Sequence, residues 1–313
     1  MKQKIITVIG GAGFIGRSVV EKLAREGARV IILTRNTNKA NTLKPLGDVG
    51  QITAVSGDAL DDAALESVIA PADMVVNLVG ILAPSGKQSF EATQADLPKR
   101  IAALAKMHNV EKIVHVSAIG ADLKSKSRYG ASKAEGERSV LRGFSPTTIL
   151  RPSIVFGPGD GFFNRFGQMA MLAPALPVIG GGRNLMQPVY VGDVADAVVT
   201  ALSNPETNDH VYELGGPNVY SFKKLMEMTC AAVGRKRPLV SVPFALMHIP
   251  AAFLQFLPNP PVTRDQLYLL EQDNVVGKTA KGFADLGIKP QSVEAHITDY
   301  LAHLRPGGRF AQK

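Results

Sequence analysis

Tyr129 and Lys133 lie four residues apart in the segment SRYGASKAEGE, which has the pattern of an exposed helix. One helical turn puts both side chains on the same face. A phenol beside an ammonium can exchange a proton with a substrate, because the positive charge favours the phenolate and lowers the phenol pKa from about 10. Two ordinary solvated side chains also occur at this spacing. The surrounding elements must therefore distinguish a proton-transfer pair from a bystander pair.

A glycine triplet (Gly10, Gly13 and Gly16) occurs in the stretch VIGGAGFIG, after an apolar strand pattern and at the start of a helical one. In this context the first glycine permits a tight turn, the second lets the backbone approach a pyrophosphate, and the third allows close helix–strand packing. Phe14 and Ile15 would carry the first N–H groups of the helix, whose positive end attracts an anion. The triplet predicts a dinucleotide site; the alternative is a glycine-rich turn without a ligand.

The second predicted strand ends in ILTRN, with Thr34 and Arg35 where NAD-selective enzymes usually have an acid for the ribose 2′-hydroxyl. An arginine can bind a 2′-phosphate, so we expect NADP as cofactor, with NADPH preferred over NADH. The alternative is that Arg35 is merely solvated. Asp58, followed by Ala59, ends the third strand. Its carboxylate could accept a hydrogen bond from the adenine amino group or cap the next helix.

Apolar runs alternate with helical patterns over the first half of the chain: KIITVIG, ARVIILTR, QITAVSGD, ADMVVNLVG, KIVHVSA and TTILRPS. Strands that are apolar throughout are typical of a parallel sheet covered on both faces. The repeated β-α order predicts an α/β fold with a doubly wound parallel Rossmann sheet, formed by residues 1–152.

Glycine and proline become frequent after Pro152. This change in composition predicts a smaller, irregular α/β substrate lobe, formed by residues 153–186 and 215–313. Residues 187–214 are expected to return to the first domain, because they contain a helical pattern from Asp193 to Ser203 and the strand pattern HVYELGG. The apolar stretch 242–261 follows the basic segment GRKRP. It is interpreted as the lid or core of the lobe, or as an amphipathic surface that meets lipid or a membrane subunit.

The chain of 313 residues carries a net charge of +8, which favours anionic partners such as nucleotide phosphates or a membrane surface. Nucleic acid is disfavoured, because no basic stripe with interleaved aromatic residues occurs. The single cysteine, Cys230, is expected to be buried in a helix, and six scattered histidines predict no metal site. The first residues run directly into a strand pattern, so we expect a cytoplasmic protein, peripheral to the membrane at most.

These motifs together resemble the extended, and more narrowly the atypical, short-chain dehydrogenase/reductases, also described as NAD-dependent epimerases and dehydratases. The matching segments are GGAGFIG, GD, NLVG, VSAIGA, YGASKAEGE, RPSIVFGPGD and YVGDVADAV, which extend through most of the chain. A narrower likeness, to the nucleotide-binding accessory subunits of respiratory complex I and their bacterial relatives, rests on NLVG, HVSAIGA, SRYGASKAEGE, RPSIVFGPGD and YLAHLRPGGRF.

The resemblance implies roles for individual residues. Tyr129 corresponds to the proton-transferring tyrosine, Lys133 to the lysine that holds the nicotinamide ribose and lowers the tyrosine pKa, and Ser117 to the serine that steadies the substrate oxygen. Val79 and Pro152 would line the cofactor site. Two departures from the family pattern occur: Ala118 and Ile119 follow the single serine, and Gln94 stands nearest the place of the relay asparagine.

Three functions follow from these features. The first is an oxidoreductase acting on a carbonyl, an alcohol or a quinone-related substrate, with Tyr129 as acid and base. The second is an accessory or assembly factor that holds NADPH structurally and associates with respiratory-complex subunits. The third, nucleotide-sugar epimerisation or dehydration, requires a diphosphate clamp, for which Arg165 and Arg183 are the candidates.

Overall fold

The first apolar run forms a strand at the middle of a seven-stranded sheet in the computed structural model, which describes residues 1–254, 262–305 and 307–308. The strands, in chain order, are β1 (Ile5–Ile9), β2 (Arg29–Thr34), β3 (Ile52–Ser56), β4 (Met74–Asn77), β5 (Lys112–Val116), β6 (Thr147–Pro152), β7 (Val155–Phe156), β8 (Leu176–Ile179), β9 (Leu185–Met186), β10 (Val189–Tyr190), β11 (Val211–Leu214), β12 (Tyr220–Ser221) and β13 (Leu239–Val242).

The α-helices, in the same order, are α1 (Phe14–Arg25), α2 (Thr37–Asn41), α3 (Asp62–Ile69), α4 (Leu97–Met107), α5 (Arg128–Gly143), α6 (Phe163–Leu172), α7 (Val191–Ser203), α8 (Phe222–Ala232), α9 (Phe244–Leu254), α10 (Arg264–Leu270) and α11 (Ile297–Tyr300). One turn of π-helix, Glu91–Asp96, leads directly into α4. A distortion of this kind often marks a functional site.

The sheet has the order β11-β6-β5-β4-β1-β2-β3, and every neighbouring pair is parallel. The strand order reverses between β1 and β4, so the loops that follow these two strands open a crevice at the carboxyl edge of the sheet. All five residues of β5 are buried, as expected for a strand covered on both faces. The predicted doubly wound Rossmann sheet is confirmed.

Two compact units make up the chain: residues 1–152, 192–214 and 278–289 form the first, and residues 153–191, 215–277 and 290–313 form the second. The returning segments differ from the predicted 187–214. Val189 and Tyr190 pair with Val155 and Phe156 in the second unit. Residues 278–289 belong to the first unit, where the Glu213 N–H donates to the carbonyl of Lys281.

Over its described residues, the second unit contains three pairs of short strands, β7 with β10, β8 with β13 and β9 with β12, rather than one continuous sheet. Its core is mainly aliphatic and includes aromatic rings in edge-to-face contact, since the partly buried Phe162 packs against both Phe163 and Phe222. In the part of the chain that the structure describes, no helix is long and apolar enough to cross a membrane. Of the apolar stretch 242–261, residues 255–261 lie outside the described residues.

Candidate functional site

The loop between β1 and α1 requires two of its three motif glycines for conformation and space. Gly10 has a φ of +87°, in the left-handed region that favours glycine. A Cβ on Gly16 would lie 2.4 Å from the Gly10 carbonyl oxygen and 2.5 Å from that of Gly11. No larger residue fits there, because both contacts are to backbone. These glycines therefore bring the start of α1 tightly against the end of β1.

Gly13 differs from the other two, because the fold demands glycine there less strictly. Its φ of −80° is ordinary, and a Cβ would contact only the Gly10 oxygen, at 3.1 Å. Gly13 is the N-cap of α1, where no side chain caps the helix and the first turn contains no acidic residue. The N–H groups of this turn remain available to an anion, and a bare Cα at Gly13 leaves room for it to approach.

Arg35 lies just beyond the end of β2 with an exposed side chain, and no carboxylate within the described ranges forms an ion pair with it. Its neighbour is Gln88, from the loop that follows β4. In one of the two orientations of the Gln88 amide, the oxygen accepts hydrogen bonds from Nη1 and Nη2 of Arg35, both at 3.1 Å. Gln88 is a site residue that the sequence analysis missed.

Asp58 uses one carboxylate oxygen to accept a hydrogen bond from the Leu60 N–H at 3.0 Å. The N-cap of α3 is instead Asp61, whose carboxylate accepts from the Ala64 N–H at 2.8 Å. The helix-capping alternative for Asp58 is therefore wrong. Its contact with adenine, like a contact of the adjacent Ala59, stays a prediction.

Lys133 is buried within α5, where its ammonium points to the carboxyl ends of β4 and β5. Nζ donates to the Val116 carbonyl at 3.2 Å and to the Val79 carbonyl at 3.5 Å. Only 4% of the residue is exposed. Burial lowers the pKa of Lys133 to about 8, and the charge of Glu137 opposes this shift. The ammonium is thus held by neutral carbonyl dipoles rather than by a salt bridge with a paired carboxylate.

Tyr129, one turn earlier on α5, is half-buried and meets the ring of Phe90 edge-on at 6.2 Å between centroids. Burial raises its pKa to about 12. The expectation that Lys133 lowers this pKa is therefore wrong, because the loss of hydration outweighs any attraction between phenolate and ammonium. At neutral pH the phenol is protonated, so it can donate a proton. It must lose that proton before it can act as a base.

Ser117 immediately follows β5 and is 4% exposed. Its N–H donates to the Leu150 carbonyl at 2.7 Å, yet its hydroxyl has no hydrogen-bond partner among the described residues. A buried hydroxyl without a partner is costly, which points to a ligand oxygen as its natural partner. Two residues on, the Ile119 N–H donates to the Pro152 carbonyl at 3.0 Å, which joins the end of β6 to the same loop.

Asn77 and His115 are buried polar residues on β4 and β5 that the sequence analysis did not select. The Asn77 amide oxygen accepts from the Val79 N–H at 3.1 Å, so its nitrogen faces His115 Nδ1 at 3.0 Å. His115 Nε2 then carries the hydrogen and has no partner among the described residues. Burial, followed by the charge of Lys133, lowers the pKa of His115 to about 3, which keeps the ring neutral.

Gln94 occupies the π-helix and links it to two neighbouring segments. Its Nε2 donates to the Ile81 carbonyl at 3.0 Å, and its Oε1 accepts from the Ser132 hydroxyl at 2.8 Å. A Cβ on Gly80 would lie 3.0 Å from Lys133 Nζ and 3.7 Å from Gln94 Nε2. Gln94 therefore lies beside Lys133, near the place expected for the relay asparagine, but its own hydrogen bonds are structural.

The remaining sequence candidates are the two arginines proposed as a diphosphate clamp, the single cysteine and any metal ligands. Arg165 and Arg183 both have exposed side chains, and Cys230 is buried in α8. Within residues 1–254, 262–305 and 307–308, no group of three or more His, Cys, Asp or Glu side chains could hold a metal ion.

Comparisons with known proteins agree with this geometry. The chain is 33% identical to the mitochondrial NADH dehydrogenase (ubiquinone) 1 alpha subcomplex subunit 9 of Arabidopsis thaliana, over 97% of this chain and 79% of that protein. It is 26% identical to a ceramide reductase of Caulobacter vibrioides, over 76% and 74% of the two chains. Its fold is similar to that of a dTDP-glucose 4,6-dehydratase from Bacillus anthracis solved in complex with NAD, with a TM-score of 0.70, 20% identity and 95% of each chain covered.

Residues 6–215 match the NAD dependent epimerase/dehydratase family model. This range includes the glycine loop after β1 and the helix that carries Tyr129 and Lys133. The family is described as NAD dependent, and the Bacillus anthracis dehydratase and a UDP-glucuronic acid 4-epimerase from Bacillus cereus were both solved in complex with NAD. The predicted membership of the epimerase/dehydratase group of short-chain dehydrogenases is confirmed, and so is the predicted likeness to complex I accessory subunits. The chain belongs to the NAD dependent epimerase/dehydratase family.

Proposed function

We propose that this protein binds NADP(H) and catalyses slow oxidoreduction of a carbonyl or alcohol substrate. The observation that carries the proposal is the buried Ser117 hydroxyl, which has no hydrogen-bond partner among the described residues and lies next to a carbonyl that holds Lys133. A fold that needed only stability would gain from an apolar residue at each position. A substrate oxygen beside Ser117 and a ribose hydroxyl beside Lys133 would supply the missing partners.

The cofactor is assigned to the crevice between β1 and β4. Gly13 and the first turn of α1 bind the pyrophosphate through backbone N–H groups, and Arg35 binds the 2′-phosphate. The paired Gln88 amide orients the guanidinium for that contact. When bound, the nicotinamide supplies or accepts the hydride. These assignments predict the preference for NADPH over NADH.

Tyr129 donates the proton in the reducing direction, because its raised pKa keeps the phenol protonated at neutral pH. Ser117 donates a hydrogen bond to the carbonyl oxygen that receives this proton. Lys133 orients the ribose and, while protonated, compensates the negative charge left on the tyrosine oxygen. Ala118 and Ile119 provide no second hydroxyl, so we expect slow turnover.

Oxidation of NADPH by a panel of ketones, aldehydes and quinones tests this proposal. Tyr129→Phe should lower turnover by about 10²–10⁴-fold, the usual contribution of a general acid, while the affinity for NADPH remains nearly unchanged. Lys133→Ala should weaken both. If no acceptor supports oxidation by the wild type and both variants bind NADPH normally, the catalytic assignment is wrong.

A second candidate function is an accessory or assembly role in a respiratory complex, with the nucleotide held structurally. The observation that favours it is the 33% identity to a complex I subunit over nearly the whole chain. Native electrophoresis of detergent-solubilised membranes should then show the protein migrating with respiratory subunits. A migration position that does not change when those subunits are removed would exclude this role. Cytoplasmic location stays a prediction, since that relative is mitochondrial.

A further inference from the structure

We propose that His115 is a positioning residue of the nucleotide site, which acts through Asn77 and the turn after β4 to hold Lys133 in place. This role rests on the proposed binding of NADP(H) and adds to it a residue that contacts the protein rather than the ligand. His115 and Asn77 are each 1% exposed, and they are direct partners across β5 and β4. The pair lies inside the sheet, immediately before the turn that follows β4.

His115 determines the orientation of the Asn77 amide. The Asn77 oxygen accepts from the Val79 N–H at 3.1 Å, so the amide nitrogen donates to His115 Nδ1 at 3.0 Å. Burial, followed by the charge of Lys133, lowers the pKa of His115 to about 3, so Nδ1 remains an acceptor at neutral pH. With an apolar side chain at residue 115 the amide could turn over, and its NH2 group would then face the Val79 N–H, donor against donor.

The turn that Asn77 holds is packed between the glycine loop and Lys133. A Cβ on Gly10 would lie 3.3 Å from the Leu78 carbonyl carbon and 3.4 Å from the Val79 nitrogen. On the other side, the Val79 carbonyl accepts from Lys133 Nζ at 3.5 Å, and a Cβ on Gly80 would lie 3.0 Å from the same Nζ. Atoms packed this closely cannot shift without displacing their neighbours. A change in the turn therefore moves the ammonium that the proposed ribose contact needs.

The fold alone gives no reason for a histidine at this position. Ile113, two residues earlier on the same face of β5, is apolar and fully buried. His115 Nε2 has no hydrogen-bond partner among the described residues, and a buried N–H without a partner is costly. Leucine, of similar size, would avoid that cost. The acceptor that His115 offers to Asn77 explains the histidine better than packing does.

Calorimetric titration of the full-length protein with two ligands tests the proposal. The ligands are NADPH and 2′,5′-ADP, which lacks the nicotinamide ribose. His115→Leu should weaken NADPH binding by about fivefold or more, because the charged hydrogen bond from Lys133 to the ribose is displaced. It should leave the affinity for 2′,5′-ADP unaltered. His115→Asn should restore NADPH binding, since its amide oxygen can take the place of Nδ1 as the acceptor.

Two further variants complete the test. Asn77→Ala removes the same link from the other strand and should show the same selective loss, so it replaces His115→Leu if that variant does not fold. Thr148→Val is the matched control, because Thr148 is fully buried in β6 and its hydroxyl donates to the Thr207 carbonyl at 2.8 Å. It should lower thermal stability and leave the affinities for both ligands unchanged.

The ratio of the two affinities separates positioning from a purely structural role, which would change both affinities together or neither. A folded His115→Leu variant that binds NADPH like the wild type, or that loses both ligands equally, would overturn the proposal. So would a His115→Asn variant that binds NADPH no better than His115→Leu. A wild type that binds neither ligand would instead refute the proposed function, and the role of His115 with it.

Discussion

Replacing Lys133 by Met should stabilise the ligand-free protein while it abolishes tight nucleotide binding. Burial lowers the Lys133 pKa from 10.5 to about 8, so the folded state disfavours the charged form. At about 1.4 kcal/mol for each tenfold change in proton affinity, keeping the ammonium charged costs about 3 kcal/mol of stability at pH 7.5. The variant loses two long hydrogen bonds to carbonyls, worth about 1 kcal/mol together. We expect a net gain of about 1–2 kcal/mol.

The pH dependence provides the sharper test. Between pH 8 and 10.5 the unfolded chain binds the Lys133 proton and the folded chain does not, so wild-type stability rises with pH across this window. The advantage of Lys133→Met should therefore shrink by about 2 kcal/mol between pH 7.5 and pH 10. Urea unfolding at both pH values, without nucleotide, measures this difference. An advantage that does not change with pH would show that Lys133 is not desolvated in the folded protein.

Lys112 offers a matched comparison for this experiment. It is also buried, and burial lowers its pKa to about 8. Its Nζ donates to the Asn204 carbonyl at 3.0 Å and the Thr207 hydroxyl at 2.9 Å, so its partners are structural. Lys112→Met should show the same dependence of stability on pH. Only Lys133→Met should also reduce the affinity for NADPH, because only Lys133 belongs to the proposed cofactor site.

Two further changes examine the nucleotide loop and its selectivity. Gly16→Ala should destabilise the protein by about 1–3 kcal/mol, because its Cβ would lie 2.4 Å from the Gly10 oxygen. Gly13→Ala should destabilise the protein less than Gly16→Ala but weaken NADPH binding at least tenfold; equal binding in a folded Gly13 variant would contradict the pyrophosphate assignment. Arg35→Ala should reduce NADPH affinity by about ten- to hundredfold and leave NADH affinity unaltered, as measured by fluorescence titration. A wild type without a cofactor preference would refute the role of Arg35.

The features that the sequence predicted correctly are those that depend on local pattern. The seven parallel strands follow from apolar runs in the sequence. The nucleotide loop follows from the spacing of its glycines, which lie close together along the chain. Gly16 illustrates this, since both of its close contacts are to the same loop. Tyr129 and Lys133 also share one helix, so their common face required only the helical period.

The features that were missed depend on residues far apart in the sequence. Asn77 and His115 are directly paired across β4 and β5, and only the register of the sheet brings them together. The sequence signal that could have identified them is a polar residue, Asn77 or His115, in a strand pattern that is otherwise mainly apolar. Gln88 reaches Arg35 from a loop more than 50 residues away. The direction of the Tyr129 pKa shift also depends on the fold, because the loss of hydration that raises this pKa cannot be seen from the spacing of Tyr129 and Lys133 on a helix.

The distribution of unfavourable groups argues that the carboxyl ends of β4 and β5 serve a ligand. A desolvated ammonium at Lys133 occurs beside the parallel strands β4 and β5, and so do a Ser117 hydroxyl and a His115 ring N–H that have no hydrogen-bond partner among the described residues. Such groups each destabilise the fold, and strained or unsatisfied groups persist where function requires them. Both proposed functions need the nucleotide, whose ribose would give Lys133 a partner, and the oxidoreductase also needs a substrate oxygen beside Ser117. Turnover separates the two, because only the oxidoreductase would use the phenol of Tyr129 as a proton donor.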